Sequence, residues 1–295
     1  MRKQFVRTVE SLLASDPRLM VLLGDIGVFG FRRAIETYPG RIFNVGILEA
    51  GATSLAAGLA KEGMVPVFHS IAPFLVERSF EQLKNDFCYQ GLGGNFVSVG
   101  ASYDYAGLGC THHCPGDVSE LKNLPGMEIV VPGAAEEFDV LFREAYDDGR
   151  PTYFRLSEGV NATGRPVSFG RAEVIRRGRR ATVLAVGPLL DRVVSAARAF
   201  DVTILYYTTV APFDAGTLRE NSAAARVLVV EPDYVGTLAA DVAEALHDRA
   251  IRLRCTGVPR AFRTEYGSAA DHDRAIGLTE EGIRAELMRL LEDGG

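Results

Sequence analysis

The sequence predicts an α/β protein of two domains, each built on a parallel sheet. Three observations carry that prediction. Short apolar runs alternate with amphipathic segments along most of the 295 residues, the pattern of parallel strands covered by helices on both faces. The length suits two domains. Residues 161–180, which carry several Gly and Arg, interrupt the alternation, and Arg176, Arg177, Arg179 and Arg180 crowd the end of that stretch. The expected division is one domain over residues 1–160, a linker with a surface hairpin over 161–180, and a smaller domain over 181–295.

The elements follow in order. Phe5, Val6, Val9, Leu12 and Leu13 recur at helical spacing and predict a helix over 4–15. A buried strand over 19–23 stops at Gly24-Asp25, and a second strand covers 42–47. A helix over 51–62 ends at Gly63, where glycine closes a helix without steric cost. Then come a strand over 65–68, a helix over 74–89 and a strand over 95–99 that opens into a Gly-rich loop, 100–116. A short helix over 119–124, a strand over 127–131 closed by Pro132, a helix over 135–147 and a strand over 152–156 complete the first domain.

In the second domain, strands are expected over 181–186, 202–206, 226–231 and 251–255. Helices are expected over 189–200, 215–221, 236–247 and 279–291. Thr279 can cap the last helix through its hydroxyl, but Gly282 three residues on rules out a full capping box. There is no internal repeat and no low-complexity tract.

Bulk properties exclude several functions. The net charge of −6 argues against a general nucleic-acid binder. No apolar run reaches the length of a membrane span, and no long apolar stretch follows the N-terminal charges as a signal peptide requires. Four scattered cysteines make no disulfide framework, so a reducing cytoplasm is the expected setting.

Glu49 carries the strongest chemical signal. It is a lone carboxylate that ends the apolar run Phe43-Asn44-Val45-Gly46-Ile47-Leu48 and heads a segment rich in Ala and Gly. On residue type alone, a Glu there is also what the helix dipole favours at any helix N-terminus. The run Cys110-Thr111-His112-His113-Cys114 holds zinc-type ligands. Its spacing is too tight for paired Cys-x-x-Cys geometry, and no second pair occurs, so no metal site is expected on this chain.

An ordered set of motifs resembles the second half of transketolase-type thiamine-diphosphate enzymes, over nearly the whole chain. Gly24-Asp25-Ile26-Gly27 comes first, then Gly46-Ile47-Leu48-Glu49. Phe74-Leu75-Val76-Glu77-Arg78-Ser79-Phe80-Glu81-Gln82 is similar to the family's aromatic helix. Thr111-His112 is similar to its substrate-loop pair, and Pro125-Gly126-Met127-Glu128-Ile129-Val130-Val131-Pro132 follows. The resemblance implies a thiamine-diphosphate pyrimidine-binding domain followed by a transketolase C-terminal domain.

It also implies roles. Glu49 would hydrogen-bond the cofactor's pyrimidine and favour the tautomer that takes the thiazolium proton, with the cofactor supplying the carbanion chemistry. Phe74 would stack on the pyrimidine, with a core position as the alternative. Phe80 is expected in the core. Arg78 would face the cofactor or an ion pair. His112 would contact substrate hydroxyl or carbonyl groups. His113 and His69 are further substrate-binding candidates, with structural roles as alternatives. Arg155 matches an arginine that grips substrate phosphate in deoxyxylulose-phosphate synthases, a task suited to a guanidinium. The alternative for Arg155 is a surface ion pair. Transketolases proper place their arginine three residues later, where this chain has Glu158.

Two departures shape the expectation. The family's Gly-x-Asp-Gly-Pro-Thr-His reads Ala106-Gly107-Leu108-Gly109-Cys110-Thr111-His112 here, and Leu108 cannot accept a hydroxyl's hydrogen bond. The Gly-Asp-Gly motif that holds Mg²⁺ and diphosphate is not found, since Gly24-Asp25-Ile26 is not that motif. The expected protein is therefore one subunit of a split transketolase that moves a two-carbon ketol unit from a ketose to an aldehyde. A separate diphosphate-binding subunit would carry Gly-Asp-Gly and the Mg²⁺ ligands, in an α2β2 assembly. Alternatives are an enzyme using a 2-oxo-acid donor, like deoxyxylulose-phosphate synthase or dehydrogenase β subunits, and a non-catalytic assembly partner. A nicotinamide dehydrogenase is disfavoured, because no Gly-x-Gly-x-x-Gly follows the first strand.

Overall fold

Two mostly parallel sheets organise the chain, as the alternation predicts. The computed structural model describes residues 1–222 and 224–292. The first half supplies β1 (Leu19–Leu23), β2 (Ile42–Asn44), β3 (Val65–Ile71), β4 (Gly94–Val99), β5 (Glu128–Val130) and β6 (Pro151–Arg155). The second half supplies β7 (Glu173–Arg176), β8 (Thr182–Val186), β9 (Thr203–Tyr207), β10 (Thr209–Ala211), β11 (Arg226–Tyr234) and β12 (Arg252–Val258). The seven-stranded sheet runs β10-β5-β6-β4-β3-β1-β2, and the five-stranded sheet runs β12-β11-β8-β9-β7. Every residue of β4, β6, β8 and β9 is buried. Helices on both faces leave these strands no solvent side, which is why they read as apolar runs rather than alternating ones.

The helix Arg2–Ser15 buries Phe5, Val9, Leu12 and Leu13. The Phe5 ring lies 5.4 Å from Phe31 and 6.0 Å from Phe138. Each such fully buried Phe contributes about 1.5–3 kcal/mol relative to exposure. The helix Glu49–Lys61 buries Ala52, Thr53, Ala56 and Ala57. Small side chains let it pack closely on β3, and because it follows β2 its first turn lies beyond the carboxyl end of that strand.

Several elements differ from the sequence reading. Residues 74–89 do not form one helix. They break into Ala72–Val76, a turn, Phe80–Gln82 and a π-helical turn over Leu83–Cys88. The helix Val28–Thr37 was not expected, although Phe31, Ala34 and Ile35 carry a helical spacing that could have found it. The helix Ala269–Ile276 begins with a Ser268–Asp271 capping box, a signal present in the sequence. Residues 161–180, read as linker and hairpin, contribute β7, which pairs antiparallel with β9 rather than with the next strand. β10, also unexpected, crosses back and pairs antiparallel with β5 of the first sheet.

Polar contacts dock the two halves. Tyr206 of β9 donates to Glu137 Oε2 at 2.7 Å, and Lys122 Nζ donates to Asp241 Oδ1 at 2.8 Å. The Tyr234 amide donates to the Pro115 carbonyl at 2.9 Å. Ser102 Oγ donates to the Pro232 carbonyl and accepts from Arg155 Nη2. Among the described residues, no helix is long and apolar enough to cross a membrane.

Candidate active site

Glu49 opens its helix at the end of the loop that follows β2. It is buried, with 4% exposure, while Ile47 and Leu48 just before it are 70% and 63% exposed. Arg78 Nη1 donates to Glu49 Oε2 at 3.1 Å. Glu49 Oε1 has no protein partner among the described residues. Arg78 itself is 51% exposed. Its guanidinium lies 4.0 Å from the centre of the Phe74 ring. The spacing of four residues between Phe74 and Arg78 puts both side chains on one side of the turn.

The half-buried Phe74 ring meets His112 edge-on, with centroids 5.2 Å apart. Thr111 Oγ1 lies 3.0 Å from His112 Nδ1, so the hydroxyl orients the imidazole. Four expected site residues, Glu49, Arg78, Phe74 and His112, are thus linked in one continuous group. A carboxylate, a cation, an aromatic face and an imidazole meet at a partly open surface. Such a group can hydrogen-bond a nitrogen heterocycle and stack beside it.

The remaining candidates lie in other surroundings. His69 is fully buried on β3, and its Nδ1 lies 2.7 Å from the Val97 carbonyl. That bond fixes the proton on Nδ1 and leaves Nε2 bare and without a partner. Burial lowers its pKa to about 4. Its ring packs 4.8 Å from Phe5 and beneath Gly27, where an added Cβ would fall 2.9 Å from Cδ2.

His113 points away from Phe74. Its ring meets Tyr103 at 4.9 Å and His272 at 5.4 Å, and its Nε2 has no partner. Burial, foremost, and the neighbouring His272 lower its pKa.

Arg155 has 0% exposure, so it is not the surface ion pair weighed from its strand-end position. Its Nε donates to Asp117 Oδ2 at 2.7 Å and its Nη2 to Ser102 Oγ at 2.7 Å. It borders a cavity of about 300 Å³ between the halves, with Asp104, Asp191, Arg192 and Asp273. Much of its donor capacity is thus committed inside the protein. Residues 110–114 do not gather as a metal site either: Cys110 is exposed, while Cys114 is buried with its Sγ 3.7 Å from Glu77 Oε1. Sequence reasoning missed Asp117, Ser102 and Glu77, whose partners lie far along the chain or in the other half.

Comparison with known proteins gives this geometry a context. The transketolase pyrimidine-binding domain model matches residues 1–162, and the transketolase C-terminal domain model matches residues 170–283. An uncharacterised 33.6 kDa protein of the fasciation locus of Rhodococcoides fascians is 42% identical over 292 residues, 97% of this chain and 93% of that protein. The 1-deoxy-D-xylulose-5-phosphate synthase of Halalkalibacterium halodurans is 30% identical over 309 residues, 97% of this chain and 48% of the synthase. That of Magnetococcus marinus is 32% identical over 277 residues, 87% of this chain and 43% of the synthase. The chain therefore spans about half the length of these synthases.

Among solved structures, a split-gene transketolase described as an inactive β4 tetramer superposes with a TM-score of 0.86 at 25% identity, covering 98% of this chain and 97% of that one. The transketolase of Campylobacter jejuni shares the fold, with a TM-score of 0.82 at 16% identity over 97% of this chain and 46% of that one.

Proposed function

The chain belongs to the transketolase family of thiamine-diphosphate enzymes, and from that premise we propose that it is the pyrimidine-domain subunit of a split enzyme. A separate subunit would carry the Gly-Asp-Gly motif and the Mg²⁺ ligands. The reaction we favour is transfer of a two-carbon ketol unit from a ketose to an aldehyde. Glu49 is the observation that carries the reading. A buried carboxylate with one oxygen held by Arg78 and the other without a protein partner suits a hydrogen bond to a pyrimidine nitrogen.

The residues present fit thiamine diphosphate on this side. Glu49 would hold the pyrimidine and steer its proton, and Arg78 would keep the carboxylate in place. Arg78 covers one face of Phe74, so the ring's other face or its edge would meet the heterocycle. His112, oriented by Thr111, would donate to or accept from a substrate hydroxyl or carbonyl. When bound, the cofactor supplies the carbanion chemistry. Exposed Ile47 and Leu48 beside Glu49 support a partner surface that covers this edge. The split-gene neighbour, inactive as a β4 tetramer, supports the same dependence on a second chain. Four free cysteines suit a reducing cytoplasm.

A second reading, a 2-oxo-acid donor, is favoured by the synthase relatives and by Leu108, which is apolar where the family's sugar-reading Asp stands. Titration calorimetry of thiamine diphosphate with Mg²⁺ would test the proposal, on this chain alone and with a partner carrying Gly-Asp-Gly. Binding in the pair only, with turnover lowered about 10²–10⁴-fold by Glu49→Gln, is expected. Tight binding to this chain alone would overturn the split arrangement. Binding and turnover indifferent to Glu49→Gln would favour a non-catalytic assembly partner. Ketose and 2-oxo-acid donors, tried on the active pair, separate the two reactions.

A further inference from the structure

His112 sits on a loop whose own bonds do not fix it in space. Ser102 and Cys114 tie the neck, each amide donating to the other's carbonyl, at 3.2 and 2.9 Å. Past the neck, the backbone hydrogen bonds of residues 106–113 span three positions and stay within the loop. They shape its turns and anchor it to nothing else. Side-chain packing is left to place the tip, and two rings of the second half reach it. We propose that His272, together with Tyr266, is a positioning residue for His112, a role that rests on His112 touching substrate as proposed above.

The contacts bracket one turn. His112 ends the single 3₁₀ turn Cys110–His112. Gly109 precedes that turn, with a left-handed φ of +79°. An added Cβ there would fall 2.8 Å from Tyr266 Cε1 and 3.2 Å from Tyr266 Oη, so the tyrosine ring lies directly against this backbone. His113 follows the turn. Its ring meets His272 at 5.4 Å, and His272 stacks on Tyr103 at 4.6 Å with the planes 27° apart. His113 and Tyr103 close the trio at 4.9 Å. The turn is thus held at both ends by side chains of the second half, while the His112 ring itself meets Phe74.

Apolar packing runs through the same seam. Tyr103 and Ala106 of the loop share a small core cluster with Val258, and Ile276 packs against it. His272, on the helix Ala269–Ile276, is 2% exposed, and neither of its ring nitrogens has a partner. His113 Nε2 has none either. Unpartnered nitrogens are a cost in a buried cluster, so hydrogen bonding is not what these imidazoles supply. They supply flat rings, which pack in a few preferred arrangements, stacked or edge-on. A shift of His272 is therefore passed to His113 and, through one peptide bond, to His112.

The first test needs neither cofactor nor partner. The chain has five histidines, so ¹³Cε1-labelled histidine gives one NMR signal for each, and His112→Asn identifies that of His112. Phe74→Leu shows how far the Phe74 ring current displaces it. In His272→Ala the His112 signal should lose that displacement, and His272→Phe, which keeps a ring on Tyr103, should restore it. Tyr266→Ala, at an exposed residue, serves as a second variant should His272→Ala unfold, and thermal melting establishes that each variant is folded. On the assembled enzyme, His272→Ala should lower kcat/KM for the donor about 10–10²-fold, mainly through KM, with thiamine-diphosphate affinity unchanged and recovery in His272→Phe. A His112 signal unmoved in the folded variants would overturn the proposal, and so would a moved signal with kcat/KM unchanged. A pair inactive on every donor would overturn the proposed function and, with it, the role given to His112. The NMR signals keep that failure apart from a failure of the second half to hold the loop.

Discussion

At the scale of single residues, two arginine–carboxylate pairs show how exposure decides what a contact is for. Arg78 and Glu49 meet at 3.1 Å with the cation half in solvent. Such a pair adds about 0–1 kcal/mol to stability, so Arg78→Ala should barely move the melting temperature. Its effect should fall instead on turnover of the assembled enzyme, through a loosened Glu49. Arg155 and Asp117 meet at 2.7 Å with no solvent on either side. Removing one partner strands a buried charge, so Arg155→Met should cost about 3–5 kcal/mol. The double change Arg155→Met with Asp117→Leu should recover most of that in denaturant unfolding.

His69 makes a pH prediction. Its folded pKa of about 4 lies below the ordinary 6.5. The unfolded chain therefore binds the proton first as pH falls. The His69 contribution is complete above about pH 6.5 and is lost as pH falls from there towards 4. A urea titration at several pH values should show this slope, and His69→Gln should flatten it. The Glu49, Phe74, Arg78 and His112 group was legible in sequence because two short motifs carry it. The Arg155–Asp117 pair was not, since its partners lie 38 positions apart and only the fold joins them.

At the scale of elements, long periodic segments were legible and short ones were not. The helix Arg2–Ser15 and strands such as β8 announce themselves through four or more apolar positions. β10 has three residues, too few for any periodicity to register. The break at residues 77–79 was hidden too, because nothing in Glu77-Arg78-Ser79 forbids helix locally. The seam between Gly133, Asn161, Gly187 and Tyr206 is equally invisible in sequence. Asn161 Nδ2 donates to the Gly187 carbonyl at 3.1 Å and to Tyr206 Oη at 3.3 Å. A Cβ on Gly133 would fall 2.2 Å from both Asn161 Nδ2 and Tyr206 Oη. Gly133→Ala should therefore destabilise by about 1–3 kcal/mol through overpacking, read as a lower melting temperature. Gly40→Ala, with open space but a left-handed backbone, should cost less.

At the scale of the whole molecule, buried acids gather where the halves meet. Asp104 borders the cavity between them, and burial pushes its pKa up to about 7. A raised acid binds its proton in the folded state first, so its contribution is greatest at low pH and is lost as pH rises from about 4 to about 7. Asp104→Asn should remove that part of the pH dependence, whose slope is opposite in sign to that of His69 over nearly the same pH range. The crossing of β10 into the first sheet has a consequence for anyone who cuts the gene. A fragment ending near residue 160 would keep six strands but bare the outer edge of β5, whose ladder partner arrives only at Thr209. Such an edge invites a second copy to pair with it. The isolated fragment should self-associate in sedimentation through that edge, which β10 covers in the whole chain.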